Sequence, residues 1–112
     1  MKDDRVYLRH ILDAIHKIES YVSVGRKEFM AASHWQDATV RQLEIIGEAA
    51  KNLSEDLRSA HADIPWRRIG GLRDVLIHDY MGVDMDAVWE ITQTSIPLLK
   101  TQVELILEQL GE

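Results

Sequence analysis

Hydrophobic residues recur along most of the chain at intervals of three and four positions, which is the spacing of amphipathic helices. The first such stretch covers roughly residues 4–24, and Gly25 is expected to end it because glycine is favoured just past a helix C-terminus. Its apolar positions are Tyr7, Leu8, Ile11, Leu12, Ile15, Ile18 and Val22. A short helical piece containing Phe29 and Met30 is expected to follow.

A second long helix is predicted to begin at Ser33 or His34. Its apolar positions are Ala38, Leu43, Ile45, Ile46, Ala49, Ala50 and Leu53. Gly47 and the two alanines that follow it are small, so a neighbouring helix can approach closely at that point.

Capping residues predict two further helix starts. Ser54 is a good N-cap for a short helix that runs to about His61. Pro65 suits the first turn of the next helix, because its missing N–H would have no partner there, and Asp63 or Ile64 is expected to cap it.

That helix is expected to carry apolar residues on one side and to end near Tyr80, before Gly82. Those apolar residues are Trp66, Ile69, Leu72, Leu76 and Ile77. Asp84 or Asp86 then starts the last long helix, and Pro97 should kink it because proline lacks a donor and clashes one turn back. The apolar stripe of this last helix is Val88, Ile91, Ser95, Leu98, Leu99, Val103, Ile106 and Leu110.

The pattern therefore predicts an all-α fold, an antiparallel bundle of about four to five helices in which residues 1–112 form one domain. No alternation typical of strands and no internal repeat is present. The sequence contains no cysteine, which excludes disulfides and thiolate metal sites. Neither a signal peptide nor a membrane-spanning run is evident, so a cytoplasmic location is expected.

The net charge of −6 argues against a protein whose whole surface is covered by nucleic acid. It leaves room for a local basic site. Basic residues gather in two places, Arg5 with Arg9 and Arg67–Arg68 followed by Arg73, although a solvated helix face is the more common reason for such groups.

A bound metal is not expected. Di-iron sites in helical bundles use Glu-x-x-His pairs, and zinc sites on helices often use two histidines four residues apart. The sequence has neither arrangement, and the nearest approach is Asp13-x-x-His16.

Side chains suited to catalysis are concentrated in residues 69–80, which contain Arg73, Asp74, His78 and Tyr80. Arginine can bind phosphate oxygens by two parallel hydrogen bonds, and histidine can exchange a proton near neutral pH. Asp74 and His78 are four residues apart and therefore share a helix face, so Asp74 can orient the imidazole. Arg73 and Tyr80 are seven apart and also share a side.

Arg73 and His78 are five residues apart, which places them about 140° around a regular helix. They converge on one phosphate only if the last turn loosens near Gly82, or if a second copy of the helix supplies the partner across a two-fold dimer. Gly70 and Gly71, with Trp66 before them, are expected near that seam. An ordinary charged helix end remains the simpler interpretation, since the spacing also occurs at Arg5-x4-His10.

Of the two Arg-x4-His occurrences, only the one at Arg73 continues as His-x-Tyr. Arg73-x4-His78-x-Tyr80 resembles the active-site motif of HEPN-domain ribonucleases of the HepT (DUF86) family. The surrounding sequence is similar to that family in the same order, from about Val6 to Leu110. The similar segments are Ile-Gly-Glu-Ala-Ala-Lys at 46–51, Pro-Trp at 65–66, Ile-Gly-Gly-Leu-Arg at 69–73 and Gly-Val-Asp at 82–84.

The resemblance implies a HEPN-like bundle that dimerises with the motif helices at the interface. It also implies a toxin of a type VII-like toxin–antitoxin system that cleaves RNA without a metal. The antitoxin partner is a minimal nucleotidyltransferase, MntA, which uses ATP and Mg²⁺ to transfer AMP to the motif tyrosine, here Tyr80. In this framework Arg73, His78 and Asp74 are the catalytic residues, and cleavage should leave a 2′,3′-cyclic phosphate. The family often has Asn where this chain has Asp74.

Three functions remain open from the sequence. The first is the toxin ribonuclease. The second is a catalytically silent HEPN module that binds its nucleotidyltransferase partner or a nucleotide, since a fold does not determine a function. The third is an unrelated bundle with a structural or DNA-binding role, which lacks support because no basic recognition helix is evident.

Overall fold

A computed structural model of the chain describes residues 3–72 and 84–111, and over these residues it is helical with no strand. Four longer helices form the bundle: α1 (Asp4–Val22), α3 (Ser33–Lys51), α6 (Met85–Gln93) and α7 (Ser95–Gln109). Three short helices connect them: α2 (Arg26–Ala31), α4 (Glu55–Ala60) and α5 (Trp66–Gly70). The predicted all-α class is confirmed.

The core is built around the pair α1 and α3, which pack against each other more extensively than any other pair among the described helices. The Ser54 backbone N–H donates to Asp4 Oδ1 at 2.7 Å, and the Ser54 hydroxyl donates to Asp4 Oδ2 at 2.6 Å. Because Asp4 begins α1 and Ser54 lies just past the end of α3, the two helices are antiparallel. The fully buried side chains of the core include Leu8, Ile11, Ile15, Ile18, Phe29, Leu43, Ile46, Val88 and Val103.

Side-chain caps begin three of the helices. Asp3, Ser54 and Asp84 each accept a hydrogen bond from a first-turn backbone N–H, at 3.0, 3.1 and 3.1 Å respectively. The predicted caps Ser54 and Asp84 are therefore confirmed. At Asp3 the N–H of Arg5 and then the Arg5 side chain lower the pKa of the carboxyl.

The C-terminal third contains two helices where the pattern predicts one kinked helix. The break falls at Thr94, whose φ of −120° and ψ of −68° are not helical, three residues before Pro97. Proline at 97 has no N–H for the carbonyl of Gln93 and its ring crowds that carbonyl, so the helix ends one turn before the proline. The Thr94 hydroxyl donates to the Glu90 carbonyl at 2.8 Å and closes the end of α6.

The predicted apolar stripe of the last helix is wrong at its outer positions. Leu98 is 60% exposed and Leu110 is 43% exposed, whereas Leu99 is 3% and Val103 is 0% exposed. The stripe of α7 that meets the core is instead Ile96, Leu99, Val103, Ile106 and Leu107, and Leu98 lies to one side of it. Ser95, which was also assigned to the stripe, is exposed.

Ion pairs join the helices at the surface. Lys100 Nζ on α7 lies 2.9 Å from Glu19 Oε2 on α1, and the hydrogen bond with Glu19 raises the pKa of Lys100. Arg26 Nη2 on α2 lies 2.7 Å from Asp86 Oδ1 on α6. Exposed pairs of this kind contribute little free energy each, so the stability of the bundle rests mainly on its buried core.

Helix α5 packs on α3 through glycines. A Cβ atom on Gly47 would lie 3.1 Å from the backbone oxygen of Ile69, and a Cβ atom on Gly70 would lie 3.1 Å from Lys51 Cγ. Both distances are tighter than an ordinary carbon contact. The predicted close approach of a helix at the small residues of α3 is thus confirmed. The absence of a side chain at Gly70 makes room for Lys51 of the same chain.

We expect Gly47→Val to lower the free energy of unfolding by about 1–3 kcal/mol, because the added methyl groups must push α5 away from α3. Urea titration followed by circular dichroism measures this. The control is Glu48→Val, the adjacent exposed position on the same helix, where the change should stay within about 0.5 kcal/mol. A Gly47→Val protein as stable as the control would contradict the contact.

Candidate functional site

The four residues predicted to carry the chemistry, Arg73, Asp74, His78 and Tyr80, lie outside the described residues. They fall in residues 73–83, between α5 and α6. Their mutual geometry therefore stays a prediction. What the structure describes is how the chain is held on either side of this segment, and which side chains surround its N-terminal approach.

The approach is anchored by Trp66, which is only 7% exposed and whose indole N–H donates to the backbone oxygen of His61 at 3.0 Å. Pro65 has φ −77° and ψ 67°, and the Trp66 N–H donates to the Ile64 oxygen at 2.8 Å. These values define an inverse γ-turn, for which proline is suited because its ring fixes φ. The predicted cap at Asp63 or Ile64 is wrong: Pro65 itself occupies the cap position, without a side-chain hydrogen bond.

Helix α5 ends at Gly70, and the helix predicted to continue to Tyr80 is interrupted at Gly71, which has φ −86° and ψ 0°. The Gly71 N–H donates to the Arg67 oxygen at 3.0 Å, which completes the last turn. The positions of the remaining predicted apolar residues, Leu76 and Ile77, lie outside the described residues.

The chain that follows the segment is held against α2. Asp84 caps α6, and the next acidic residue, Asp86, forms the ion pair with Arg26. Behind this pair the rings of Phe29 and Trp89 are in contact, with centroids 5.2 Å apart and planes tilted by 51°. The chain is therefore held against α3 before the motif segment and against α2 after it.

An open groove of about 900 Å³ lies beside α5, with walls from the end of α3, from α4 and from α5. Three cationic side chains line it, Lys51, Arg58 and Arg67, together with one carboxylate, Glu55. Gly70 and Gly71 also line it, so the groove reaches to within two residues of Arg73 in the sequence. We call this the basic groove.

Only part of the basic groove is predictable from the sequence. Arg67 belongs to a group with Arg68 and Arg73 that are close in the chain, but no sequence pattern points to Lys51 or Arg58. Lys51 is on α3 and Arg58 is on α4, and neither lies in a cluster of basic residues in the sequence. Only the folding of α4 beside α3 and α5 brings them to the same place.

A second depression, of about 340 Å³, lies between α1 and α3 and has a different character. Its charged residues include Glu44 and Glu48 beside Arg41, and Arg41 Nη1 lies 3.5 Å from Glu44 Oε2. His10 lies at its edge with its ring perpendicular to that of Tyr7, at 6.1 Å between centroids. An arginine already paired within an acidic wall is a poor site for phosphate.

The Arg5-x4-His10 spacing on α1 does not form a comparable site. Arg5 Nε is paired with Asp3 Oδ1 at 3.3 Å on the surface. Across residues 3–72 and 84–111, no three His, Asp or Glu side chains come together as a metal-binding group. In the same ranges no helix combines the length and apolarity needed to cross a bilayer.

Comparison with known proteins identifies a family match over most of the chain. Residues 11–106 match the family model described as ribonuclease HepT-like. A protein of Caldanaerobacter subterraneus subsp. tengcongensis named "Putative RNase" is 43% identical over 110 residues, which are 97% of this chain and 98% of that protein. A "Probable ribonuclease HepT" of Thermococcus cleftensis is 41% identical over 99 residues, 88% of this chain and 90% of that protein.

A longer relative of Methanocaldococcus jannaschii, named "Gamma-glutamylcyclotransferase and putative RNase", is 42% identical over 112 residues. This match covers 99% of the chain but only 50% of that protein, so the chain spans half the length of this relative. No solved structure matches the chain significantly.

Proposed function

The chain belongs to the ribonuclease HepT-like family, and we propose that it is a metal-independent endoribonuclease that acts as the toxin of a two-gene, type VII-like toxin–antitoxin system. The observation that carries the proposal is the motif Arg73-x4-His78-x-Tyr80, which lies within the residues that match the family model. The two relatives matched over nearly their whole length bear ribonuclease names, which supports an RNA substrate.

In the proposed mechanism His78 removes the proton of a ribose 2′-hydroxyl as general base. The 2′-oxygen then forms a bond to the adjacent phosphorus, and the bond from phosphorus to the 5′-oxygen breaks. Arg73 stabilises the negative charge that develops on the phosphoryl oxygens, and Asp74 orients the imidazole of His78. The departing 5′-oxygen takes up a proton. The products are a 2′,3′-cyclic phosphate and a 5′-hydroxyl, and no step requires a metal ion or another cofactor.

The proposed active form is a two-fold dimer. On a regular helix Arg73 and His78 point about 140° apart, so a second copy is the simplest source of the missing partner. The motif segments of the two copies then lie together at the seam. Each of the two equivalent sites combines Arg73 of one protomer with His78 of the other.

The proposed antitoxin is a minimal nucleotidyltransferase of the MntA type, which uses ATP and Mg²⁺ to attach AMP to Tyr80. Tyr80 is two residues past His78 and seven past Arg73 in the sequence, so we place its hydroxyl at the mouth of the RNA site. An attached phosphate beside Arg73 forms charge-assisted hydrogen bonds, and the nucleotide occupies the place of RNA. Silencing then needs no conformational change.

The first test of the mechanism is His78→Ala, which should reduce RNA cleavage on the order of 100-fold or more because the general base is lost. His10→Ala is the matched control, since His10 lies in the other Arg-x4-His spacing of the chain. EDTA should leave cleavage by the wild type unchanged, and mass spectrometry of the products should find the cyclic phosphate. Full activity in His78→Ala, or its loss with EDTA, would refute the mechanism.

The dimer is tested by mixing two inactive chains, Arg73→Ala and His78→Ala, through co-expression. If each site takes one residue from each protomer, mixed dimers contain one intact site, and activity should return to about a quarter of wild type. Light scattering at micromolar concentration should give a dimer for each protein. An active monomer, or mixtures that remain inactive, would rule out the composite site.

Silencing is tested with the nucleotidyltransferase partner, ATP and Mg²⁺. Intact-mass spectrometry should find AMP on the wild type and on Tyr21→Phe, the control, but not on Tyr80→Phe. We expect Tyr80→Phe to keep most of its cleavage activity, because the hydroxyl takes no part in the proton transfers, and to remain active in the presence of the partner. Neutralisation of the wild type without any attached AMP would instead indicate silencing by simple binding.

A further inference from the structure

The basic groove brings together three cations that have no carboxylate partner among the described residues, whereas Lys17, Lys27 and Arg68, which also have none there, do not line it. Elsewhere Arg5, Arg26, Arg41 and Lys100 each lie within 3.5 Å of a carboxylate oxygen. The three cations of the groove do not: among the described residues no carboxylate lies within 4.0 Å of Lys51, Arg58 or Arg67. Glu55 lines the same groove without pairing with any of them. Among the described residues, three cations and one carboxylate therefore give the groove a net positive lining.

Among the three cations, Arg58 gives the strongest indication of a bound anion. It is half-buried between α4 and the groove, and its Nε atom is enclosed without a hydrogen-bond acceptor among the described residues. The Nε–H of this guanidinium therefore remains able to donate a hydrogen bond to an anion. Such a group is unfavourable to enclose unless something else provides the acceptors.

Lys51 is held in place by packing. Its Cγ and Cε atoms lie 3.1 and 3.7 Å from the position that a Cβ on Gly70 would occupy, so its aliphatic stem runs across that glycine. A lysine stem packed in this way keeps its ammonium group at the solvent edge. Since Lys51 is on α3 and Gly70 ends α5, this contact also places the lysine stem beside a residue that is three positions before Arg73 in the sequence.

We propose that the basic groove binds the sugar–phosphate backbone of the RNA strand that is cleaved at the motif, with Lys51, Arg58 and Arg67 contacting its phosphates. This inference rests on the proposed ribonuclease function. The groove is open, so it admits a strand that continues past it, and it lies directly before Arg73 in the chain. The depression between α1 and α3 is the contrasting case, since its arginine is paired and two glutamates line it.

Phosphate contacts of this kind provide affinity and orientation without reading the base sequence. The groove residues should therefore act on binding of RNA and not on the chemical step. Loss of two contacts should weaken binding of a single strand on the order of ten-fold or more and should reduce the slope of log Kd against log salt by about 1.4.

The test uses Lys51→Gln/Arg67→Gln, with Lys17→Gln/Lys27→Gln as the control that removes the same charge from exposed positions on α1 and α2. Both pairs are introduced into the full chain with His78→Ala, and binding of an unmodified fluorescent RNA oligonucleotide is measured by anisotropy over a range of salt. Steady-state cleavage is measured in parallel with His78 intact. Lys51 and Arg67 are both exposed, so this pair leaves the enclosed Nε of Arg58 unchanged, and Arg58→Gln is tested separately.

We expect the groove pair to raise Kd and KM while kcat and the control stay near wild type. If Kd and KM are unchanged in the groove pair and the wild type cleaves RNA, the groove does not bind RNA, and the proposed ribonuclease function is unaffected. If the groove pair weakens RNA binding but the wild type does not cleave RNA, the ribonuclease function is refuted and RNA binding in the groove is supported. Unchanged RNA binding with weakened binding of the nucleotidyltransferase would reassign the groove to a protein interface.

Discussion

The close approach of α5 to α3 is the contact on which the entry to the motif segment and the basic groove depend. Helix α5 has five residues, too few to be stable alone, and it is held by the burial of Trp66 and by the glycines Gly47 and Gly70 at the interface. This contact fixes the point from which the chain enters the motif segment. It also closes one wall of the basic groove. A larger side chain at either glycine would alter both features together.

An acidic protein can nevertheless bind a polyanion, because electrostatic attraction is local. Charges separated by more than about 8–10 Å at physiological ionic strength are largely screened from each other. Distant carboxylates that contribute to the net charge of −6 therefore do not cancel a groove whose described lining has three cations and one carboxylate. The depression between α1 and α3 is less basic than the groove, because its Arg41 is paired with Glu44 and Glu48 also lines it.

Some elements of the fold were predictable because their causes are local. Ser54 and Asp84 cap helices through hydrogen bonds to an N–H three residues away, and the sequence alone identifies such residues. Pro97 predicted a distortion for the same reason, although the chain breaks fully at Thr94. Leu98 shows where local reasoning ends. Its apolar side chain suits a core position, yet it is exposed because the buried stripe of α7 passes through Ile96, Leu99 and Val103.

The sequence by itself determined the helices, the all-α class and the motif from Arg73 to Tyr80, because helical periodicity, capping and motif spacing all act within a few residues along the chain. The tertiary structure alone decided which faces meet. Lys51, Arg58 and Arg67 belong to three helices, and no spacing in the sequence connects them. They share one groove because two glycines allow α5 to lie directly against α3, and the distance between helix axes is set by the side chains at their contact.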